Sequence, residues 1–251
     1  MDIGEIISDS LTYPISDWTK ILILGIITVI SNIGNITGTF TQNWGLTAYL
    51  TIIGAIIGLL VTGYLFRIIK SSIAGIHELP DFDAWLEMFI DGIKVTIVGI
   101  IYSLPAIIII LIFAASIILS ILTNSPVNSA IAGTLITAGI GILIAILYML
   151  IITPIIAMAV ANMAYNNSKL KAAFKFNEIL KKISVIGWGD LIIWYLVVGI
   201  VFIILAIIGG AITGLFSLIS PIITIVLSSL IVTPFLQIYL ARSVALFYSS
   251  E

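Results

Sequence analysis

The chain has 251 residues, of which 61% are hydrophobic and only 9% are charged, and its mean hydropathy is +1.29. A soluble domain carries roughly 25% charged residues, so this composition excludes a water-soluble fold and predicts an integral membrane protein. The net charge of −2 gives no field that would attract nucleic acid. With no cysteine and a single histidine, His77, the chain lacks the ligands of a thiolate or multi-histidine metal site, and we expect no metal or cofactor.

Charged residues are absent from three long stretches, 21–66, 95–168 and 191–241. A helix crosses a bilayer in about 20 apolar residues, so each stretch is long enough for two crossings. Turn-forming residues lie near the middle of each stretch, at 32–45, 123–128 and 209–221. The pattern predicts an all-α membrane protein with six transmembrane helices in three hairpins. The predicted spans are about 21–37, 46–67, 95–121, 133–162, 190–212 and 222–247.

Basic residues flank these predicted spans on one side of the membrane only. They are Lys20, Arg67, Lys70, Lys94, Lys169, Lys171, Lys175, Lys181, Lys182 and Arg242. Because positively charged loops are retained in the cytoplasm, we expect a multi-pass protein of the cell membrane with both termini cytoplasmic. The first span is predicted to be an uncleaved insertion signal, and Arg67, Asp190 and Arg242 are expected to reach the water from span ends.

An amphipathic helix is predicted before each hairpin, in a first segment (1–20), a second (79–94) and a third (169–190). In the second segment Asp83, Glu87 and Asp91 are expected to share a polar face. The net charge is −3 over 1–20, −2 over 67–94 and +3 over 169–190. This complementarity suggests that the two acidic segments dock on the basic third segment.

The order of one amphipathic helix and two spans occurs three times along the chain. We therefore predict a single membrane domain, 1–251, built from pseudo-repeats at about 1–67, 79–162 and 169–247. Parallel repeats of this kind predict a pseudo-threefold axis along the membrane normal.

The stretch 75–94 resembles DUF4013, a family of integral membrane proteins known as a domain of unknown function. The matching residues are Gly75, Glu78, Leu79, Pro80, Phe82, Trp85, Phe89, Gly92 and Lys94, after a span end like 63–67. The resemblance implies an archaeal cell-membrane protein with several spans, and it implies no activity, substrate or catalytic residue.

Weakly polar residues within the spans are the candidates for lining the pseudo-axis. They are Thr62, Thr153 and Thr233. The alternative interpretation is structural, because a threonine beside a proline satisfies a carbonyl that the proline leaves unbonded.

A polar cluster of His77, Glu78, Asp81 and Asp83 is a candidate cation or acid–base site, although such groups more often form a solvated helix start. The candidate residues for contact with lipid or a partner lie in the second and third segments. They are Lys169, Lys171, Lys175, Lys181, Lys182, Phe82, Trp85 and Phe89.

No nucleophile, phosphate-binding loop or metal-ligand spacing can be assembled, so we expect no enzyme. The favoured hypothesis is a membrane scaffold or accessory subunit that contacts membrane lipids or a protein partner through its cytoplasmic helices. The alternative is a transporter or channel for a small apolar or zwitterionic solute along the pseudo-axis.

Overall fold

The computed structural model describes the backbone of residues 2–122 and 127–250, and the side chains of residues 2–115 and 139–250. Every regular element within these residues is helical. Among them, five helices are long and apolar enough to cross a membrane, and a sixth crossing results if two helices bent by 82° count as one span. The predicted class, an all-helical membrane protein, is confirmed.

The helices are numbered along the chain. They are α1 Ile3–Thr12, α2 Trp18–Ser31, α3 Ile33–Gly38, α4 Trp44–Ile73, α5 Trp85–Leu122, α6 Val127–Tyr165, α7 Phe176–Ile186, α8 Trp188–Gly214, α9 Pro221–Leu227 and α10 Thr233–Ser249. A π-helical turn, Ser228–Val232, joins α9 to α10, and 3₁₀ turns cover Pro14–Ser16, Leu170–Phe174 and Leu215–Leu218.

The predicted spans from 46 onward coincide with α4, α5, α6, α8 and the run α9–α10. The first predicted span, 21–37, is not one helix. Its regular part, α2, has 14 residues, or about 21 Å, which is shorter than the roughly 30 Å hydrocarbon core. The helix ends at Ser31. The next residue, Asn32, donates from its side-chain Nδ2 to the Thr28 carbonyl at 3.0 Å, a local competition for a helical carbonyl that the hydropathy pattern does not reveal.

The predicted amphipathic segments take different forms. Asp2 and Glu5 form a capping box that starts α1, and the Asp17 side chain accepts the backbone N–H groups that start α2. The second segment differs from the prediction, because α5 runs without interruption from Trp85 and residues 85–94 are the first turns of a membrane-length helix. The third segment contains a 3₁₀ turn and the separate helix α7.

The chain folds into two compact units. The first unit comprises Met1–Thr96 and Met158–Glu251, and the second comprises Ile97–Ala157. Within the second unit, the Tyr148 hydroxyl donates to the Tyr102 carbonyl at 2.8 Å, and Gly141 lies against the Phe113 ring. Residues 123–126 of the predicted turn at 123–128 lie outside the described residues.

Close backbone contacts hold α4 and α5 together in the first unit. A Cβ on Gly63 would collide with the Met88 carbonyl, and one on Gly92 would collide with the Leu59 carbonyl. The later residue of α4 faces the earlier residue of α5, so the two helices run antiparallel. Only glycine permits this approach, and it fixes the register of the two helix ends.

A second close contact joins α2 to the π-helical turn. Gly25 lies against the carbonyl of Leu230, four residues before Pro234. Proline has no N–H group for that carbonyl, and a π-helical turn is a common adjustment where the regular ladder is interrupted. The glycine therefore lets α2 cover a carbonyl that its own helix leaves without a normal partner.

Candidate functional site at the charged end of the first unit

The ionisable side chains of the first unit gather where its long helices begin or end. We call this region the charged end. It is formed by α1, α7, the 74–84 connection, the starts of α2, α5 and α8, the 166–175 connection and the last turns of α4 and α10.

Arg242 is the most deeply buried charge of this region, with a side chain that is 1% exposed. Its Nε lies 2.6 Å from Asp9 Oδ1 on α1, and its Nη1 donates to the Ile76 carbonyl at 3.2 Å. The Tyr13 ring lies 4.5 Å from the guanidinium carbon, within cation–π range. The expectation that Arg242 reaches water is therefore wrong, because the protein itself supplies its partners.

The 74–84 connection is held through its backbone carbonyls. Besides Ile76, the carbonyls of Glu78, Leu79 and Pro80 each accept a side-chain hydrogen bond. The donors are Tyr13, Lys20 and Tyr64, respectively. Four of the five carbonyls from Ile76 to Pro80 are thus satisfied, by side chains from α2, α4 and α10 and by Tyr13, which follows α1. A loop bound in this way closes one end of the helix bundle.

The structure divides the predicted polar cluster among separate partners. His77 Nδ1 lies 2.9 Å from Arg242 Nη2, and Asp81 lies 2.9 Å from Lys20 Nζ. Glu78 contributes its backbone carbonyl to the Tyr13 hydroxyl. Within the described residues, no three His, Asp or Glu side chains are placed to hold a metal ion.

Asp83, the last member of that cluster, pairs with α4. Its Oδ1 lies 2.6 Å from Arg67 Nη1. The guanidinium of Arg67 lowers the pKa of the Asp83 carboxyl below its usual value. The Asp83 side chain is largely exposed, whereas the Arg67 Nη1 atom is buried, so the pair joins the exposed connection to the interior edge of α4.

A cavity of about 310 Å³ opens between the last turns of α4 and the first turns of α5. Arg67 and Lys70 lie on its α4 side, and Glu87 and Asp91 lie on its α5 side. Asp91 was predicted on an exposed polar face, but it is buried. Its Oδ1 lies 2.7 Å from Lys94 Nζ, and its Oδ2 accepts from the Ser168 hydroxyl at 3.2 Å.

The aromatic residues of the second segment have unequal surroundings. Phe82 stacks on Tyr64 with ring centroids 4.0 Å apart, so it belongs to the packing of the connection. Trp85 lies 5.8 Å from Phe82 and is 44% exposed, while Phe89 is half-buried. Trp85 alone of the three is exposed.

Six of the eight acidic side chains of the first two segments pair with cations outside the third segment. Asp9 pairs with Arg242, Asp17 and Asp81 with Lys20, Asp83 with Arg67, Glu87 with Lys70 and Asp91 with Lys94. These cations come from α2, α4, α5 and α10. The expected docking of the acidic segments on the basic third segment is replaced by pairing with cations on the long helices themselves.

The lysines of the third segment face outward. Lys169, Lys171 and Lys181 are exposed, and Lys175 pairs with Glu178 on the same segment at 2.8 Å. Lys182 is half-buried, with its ammonium 5.4 Å from the Tyr248 ring centroid. The segment is anchored by Asn162, whose Nδ2 donates to the Ala172 carbonyl and whose Oδ1 accepts from the Tyr248 hydroxyl.

The candidate axis-lining threonines do not share one environment. The hydroxyls of Thr62 and Thr153 donate to the carbonyls of Gly58 and Met149, four residues earlier in their own helices. Thr62 and Thr233 are half-buried in the first unit, and Thr153 is exposed in the second unit. The hydrogen bonds of Thr62 and Thr153 agree with the structural interpretation of these residues.

Sequence analysis missed the central role of Asp9, Tyr13 and Arg242. A signal was present, because Arg242 is the first charge after a long uncharged stretch and is followed by seven more helical residues before α10 ends. A charge placed inside a helix in this way requires a partner. The partner itself, 233 residues away, has no local signal.

The fold and the charged end define a helical integral membrane protein whose first unit is closed at one end by a layer of paired charges. The chain belongs to a family described as "Protein of unknown function (DUF4013)", whose model matches residues 46–214. The assignment made from the sequence is thereby confirmed. No curated protein and no solved structure matches the chain.

Proposed function

We propose that this chain is a non-enzymatic membrane scaffold or accessory subunit, and that its third segment binds anionic lipid head groups or an acidic partner protein. In this proposal it crosses the membrane of an archaeal cell six times, as three pseudo-repeated hairpins. The charged end and both termini face the cytoplasm, because the basic residues gather there.

The arrangement of α7 is the observation that carries this proposal. Ile179 and Ile183 are buried and attach the helix to the protein. Phe176 and Leu180 follow the same helical period on the adjoining flank and are exposed, while Lys181 lies on the side opposite the buried pair. A helix attached on one side, apolar on the next and basic on the far side matches a helix lying at a membrane surface.

The distribution of charge supports the same function. Six of the eight acidic residues of the first two segments pair with cations outside the third segment, so these six do not neutralise its outward lysines. A lysine near an anionic membrane surface contributes about 1 kcal/mol of attraction. Three exposed lysines therefore provide enough attraction to select anionic lipids from a mixture.

The experiment compares the full chain with a variant carrying Lys169→Gln, Lys171→Gln and Lys181→Gln. We expect the affinity for short-chain phosphatidylglycerol in detergent to fall about 100-fold, which corresponds to about 1 kcal/mol for each lysine. The matched control replaces the same lysines with arginine and should retain the affinity. Equal affinity of the glutamine variant and the parent would contradict lipid binding by this segment.

The alternative function, transport of a small apolar or zwitterionic solute, is supported by one region inside the membrane helices. The break at Asn32 lies beside the π-helical turn, with Asn32 Nδ2 3.4 Å from Ser229 Oγ. Interrupted helices of this kind occur at the binding sites of transporters. Uptake of a labelled zwitterion by proteoliposomes, lost in Asn32→Leu and retained in Asn35→Leu, is the result this alternative requires.

A further inference from the structure

The cavity between α4 and α5 has the size and the opening of a small-molecule site. Its volume of about 310 Å³ lies at the lower end of the roughly 300–1,000 Å³ range of ligand pockets. Gly63, Ala74, Ile76 and Met88 provide apolar surface around it. The glycine contacts that fix α4 against α5 also fix this cavity, so its walls are preformed.

Opposite charges occupy the two helices that border the cavity. Arg67 and Lys70 are three residues apart on α4, and Glu87 and Asp91 are four residues apart on α5. Both spacings place the two side chains on one face of their helix. The charges of the four side chains sum to zero, so the cavity favours a neutral ligand that carries a cation at one end and an anion at the other.

The present partners of these groups leave them able to bind a ligand. Lys70 and Glu87 form a long, exposed pair of 3.4 Å, and such a pair contributes little to stability. Asp91 accepts one contact on each oxygen, whereas a carboxylate has about four acceptor positions. Arg67 contacts Asp83 through Nη1, and a guanidinium carries five N–H groups.

We propose that this cavity binds an ammonium–phosphate zwitterion. Arg67 and Lys70 receive the phosphate, because guanidinium and ammonium groups donate charge-assisted hydrogen bonds to its oxygens. Glu87 and Asp91 receive the primary ammonium, which enters between Lys70 and Glu87. This site uses none of the third-segment lysines, so it is separate from the proposed anionic-lipid surface and is tested independently of it.

Two sources supply this chemistry, a phosphatidylethanolamine head group and a free phosphoethanolamine. The experiment therefore measures, by calorimetry on the detergent-solubilised full chain, the binding of O-phosphoethanolamine and of dihexanoyl phosphatidylethanolamine. Ethanolamine and inorganic phosphate are the half-ligand controls. We expect the zwitterion to bind at least tenfold more tightly than either half. Affinity that is at least tenfold higher for the lipid identifies a membrane ligand, and equal affinity identifies the head group alone.

Variants then locate the site. Glu87→Gln and Arg67→Gln should each weaken binding about 10- to 100-fold, since each removes hydrogen bonds to a charged group. The exchange Lys70→Glu with Glu87→Lys keeps the ion pair and the net charge but leaves one charge of each sign on each helix, so the cavity no longer has a cationic side and an anionic side, and the exchange should also abolish tight binding. Glu178→Gln is the matched control outside the cavity and should bind normally.

Size-exclusion profiles and thermal unfolding establish that each variant is folded before its affinity is compared. If Arg67→Gln does not fold, Glu87→Gln and the charge exchange decide the question. The proposal is overturned if no probe binds, if the zwitterion binds no tighter than its halves, or if the charge-exchanged protein binds like the parent.

Discussion

The 74–84 connection and the third segment are both polar regions at the charged end, but they use their polar groups in opposite ways. The connection directs backbone carbonyls inward to four side chains from separate parts of the chain, and its Asp81 and Asp83 are paired. The third segment buries Ile179 and Ile183 and leaves three of its lysines exposed. The first arrangement stabilises the helix bundle, and the second presents charge to a binding partner.

The residues that carry the family resemblance lie in the 74–84 connection and the first turns of α5. Gly75 has a φ of +81°, a conformation that glycine adopts without strain, where the chain leaves α4. Leu79 is buried, Phe82 stacks on Tyr64, and Gly92 lies against the Leu59 carbonyl. The motif 75–94 therefore describes how the ends of α4 and α5 are joined.

Removing the buried Arg242 cation should lower the stability of the protein more than any other change proposed here. Arg242→Gln leaves the Asp9 carboxylate without its partner and removes the donor to the Ile76 carbonyl. Breaking a buried ion pair in this way costs about 3–5 kcal/mol, so we expect a large loss of the free energy of unfolding in detergent micelles. Lys171→Gln removes an exposed cation and should leave stability unchanged; equal stability of the two variants would contradict the role of Arg242.

Placing a side chain at the close contact between α4 and α5 should have the next largest effect on stability. A methyl group on Gly63 has no space beside the Met88 carbonyl, so Gly63→Ala should destabilise the protein by about 1–3 kcal/mol. No heavy atom lies within 4 Å of the equivalent position on Gly210, and Gly210→Ala should stabilise α8 by about 0.5–1 kcal/mol. Thermal unfolding should show a lower midpoint for Gly63→Ala and a higher midpoint for Gly210→Ala. Midpoints that shift in the same direction in both variants would contradict the close contact at Gly63.

Removing the Tyr64 hydroxyl tests whether hydrogen bonds to backbone carbonyls hold the 74–84 connection in place. Tyr64→Phe keeps the ring that stacks on Phe82 but loses the hydrogen bond to the Pro80 carbonyl, at an expected cost of about 1 kcal/mol. Hydrogen exchange of the backbone amides in 78–84 should become faster. The exposed Tyr49 supplies the control, since Tyr49→Phe should change neither quantity.

The Asp83–Arg67 pair should give the smallest effect, and it depends on pH. Because the pKa of Asp83 is lowered in the folded protein, the pair stabilises the fold above the unfolded pKa of 3.8 and loses this contribution as pH falls through the lower folded value. We therefore expect Asp83→Asn to unfold at a slightly lower temperature than the parent at pH 7. The difference should disappear at strongly acidic pH, and a difference that grows with acidification would have the wrong sign.

Much of the fold follows from where charges are absent. The spans from residue 46 onward are predictable because hydrocarbon excludes charge over the whole length of a crossing. The helix break at Asn32 cannot be predicted in the same way, because one asparagine that bonds its own helix changes the hydropathy of the span very little. The basic character of the third segment is visible in the sequence, whereas the partners of Arg242 and of the 76–80 carbonyls are set by contacts between distant residues and by backbone groups common to all sequences.

The central claim is that stability and lipid binding belong to separate parts of the charged end. The direct test measures the thermal unfolding midpoint and the phosphatidylglycerol affinity of two variants, Tyr64→Phe and the Lys169, Lys171 and Lys181→Gln triple variant. The account predicts that Tyr64→Phe lowers only the midpoint and that the triple variant lowers only the affinity. Loss of affinity in Tyr64→Phe, or unchanged affinity in the triple variant, would contradict it.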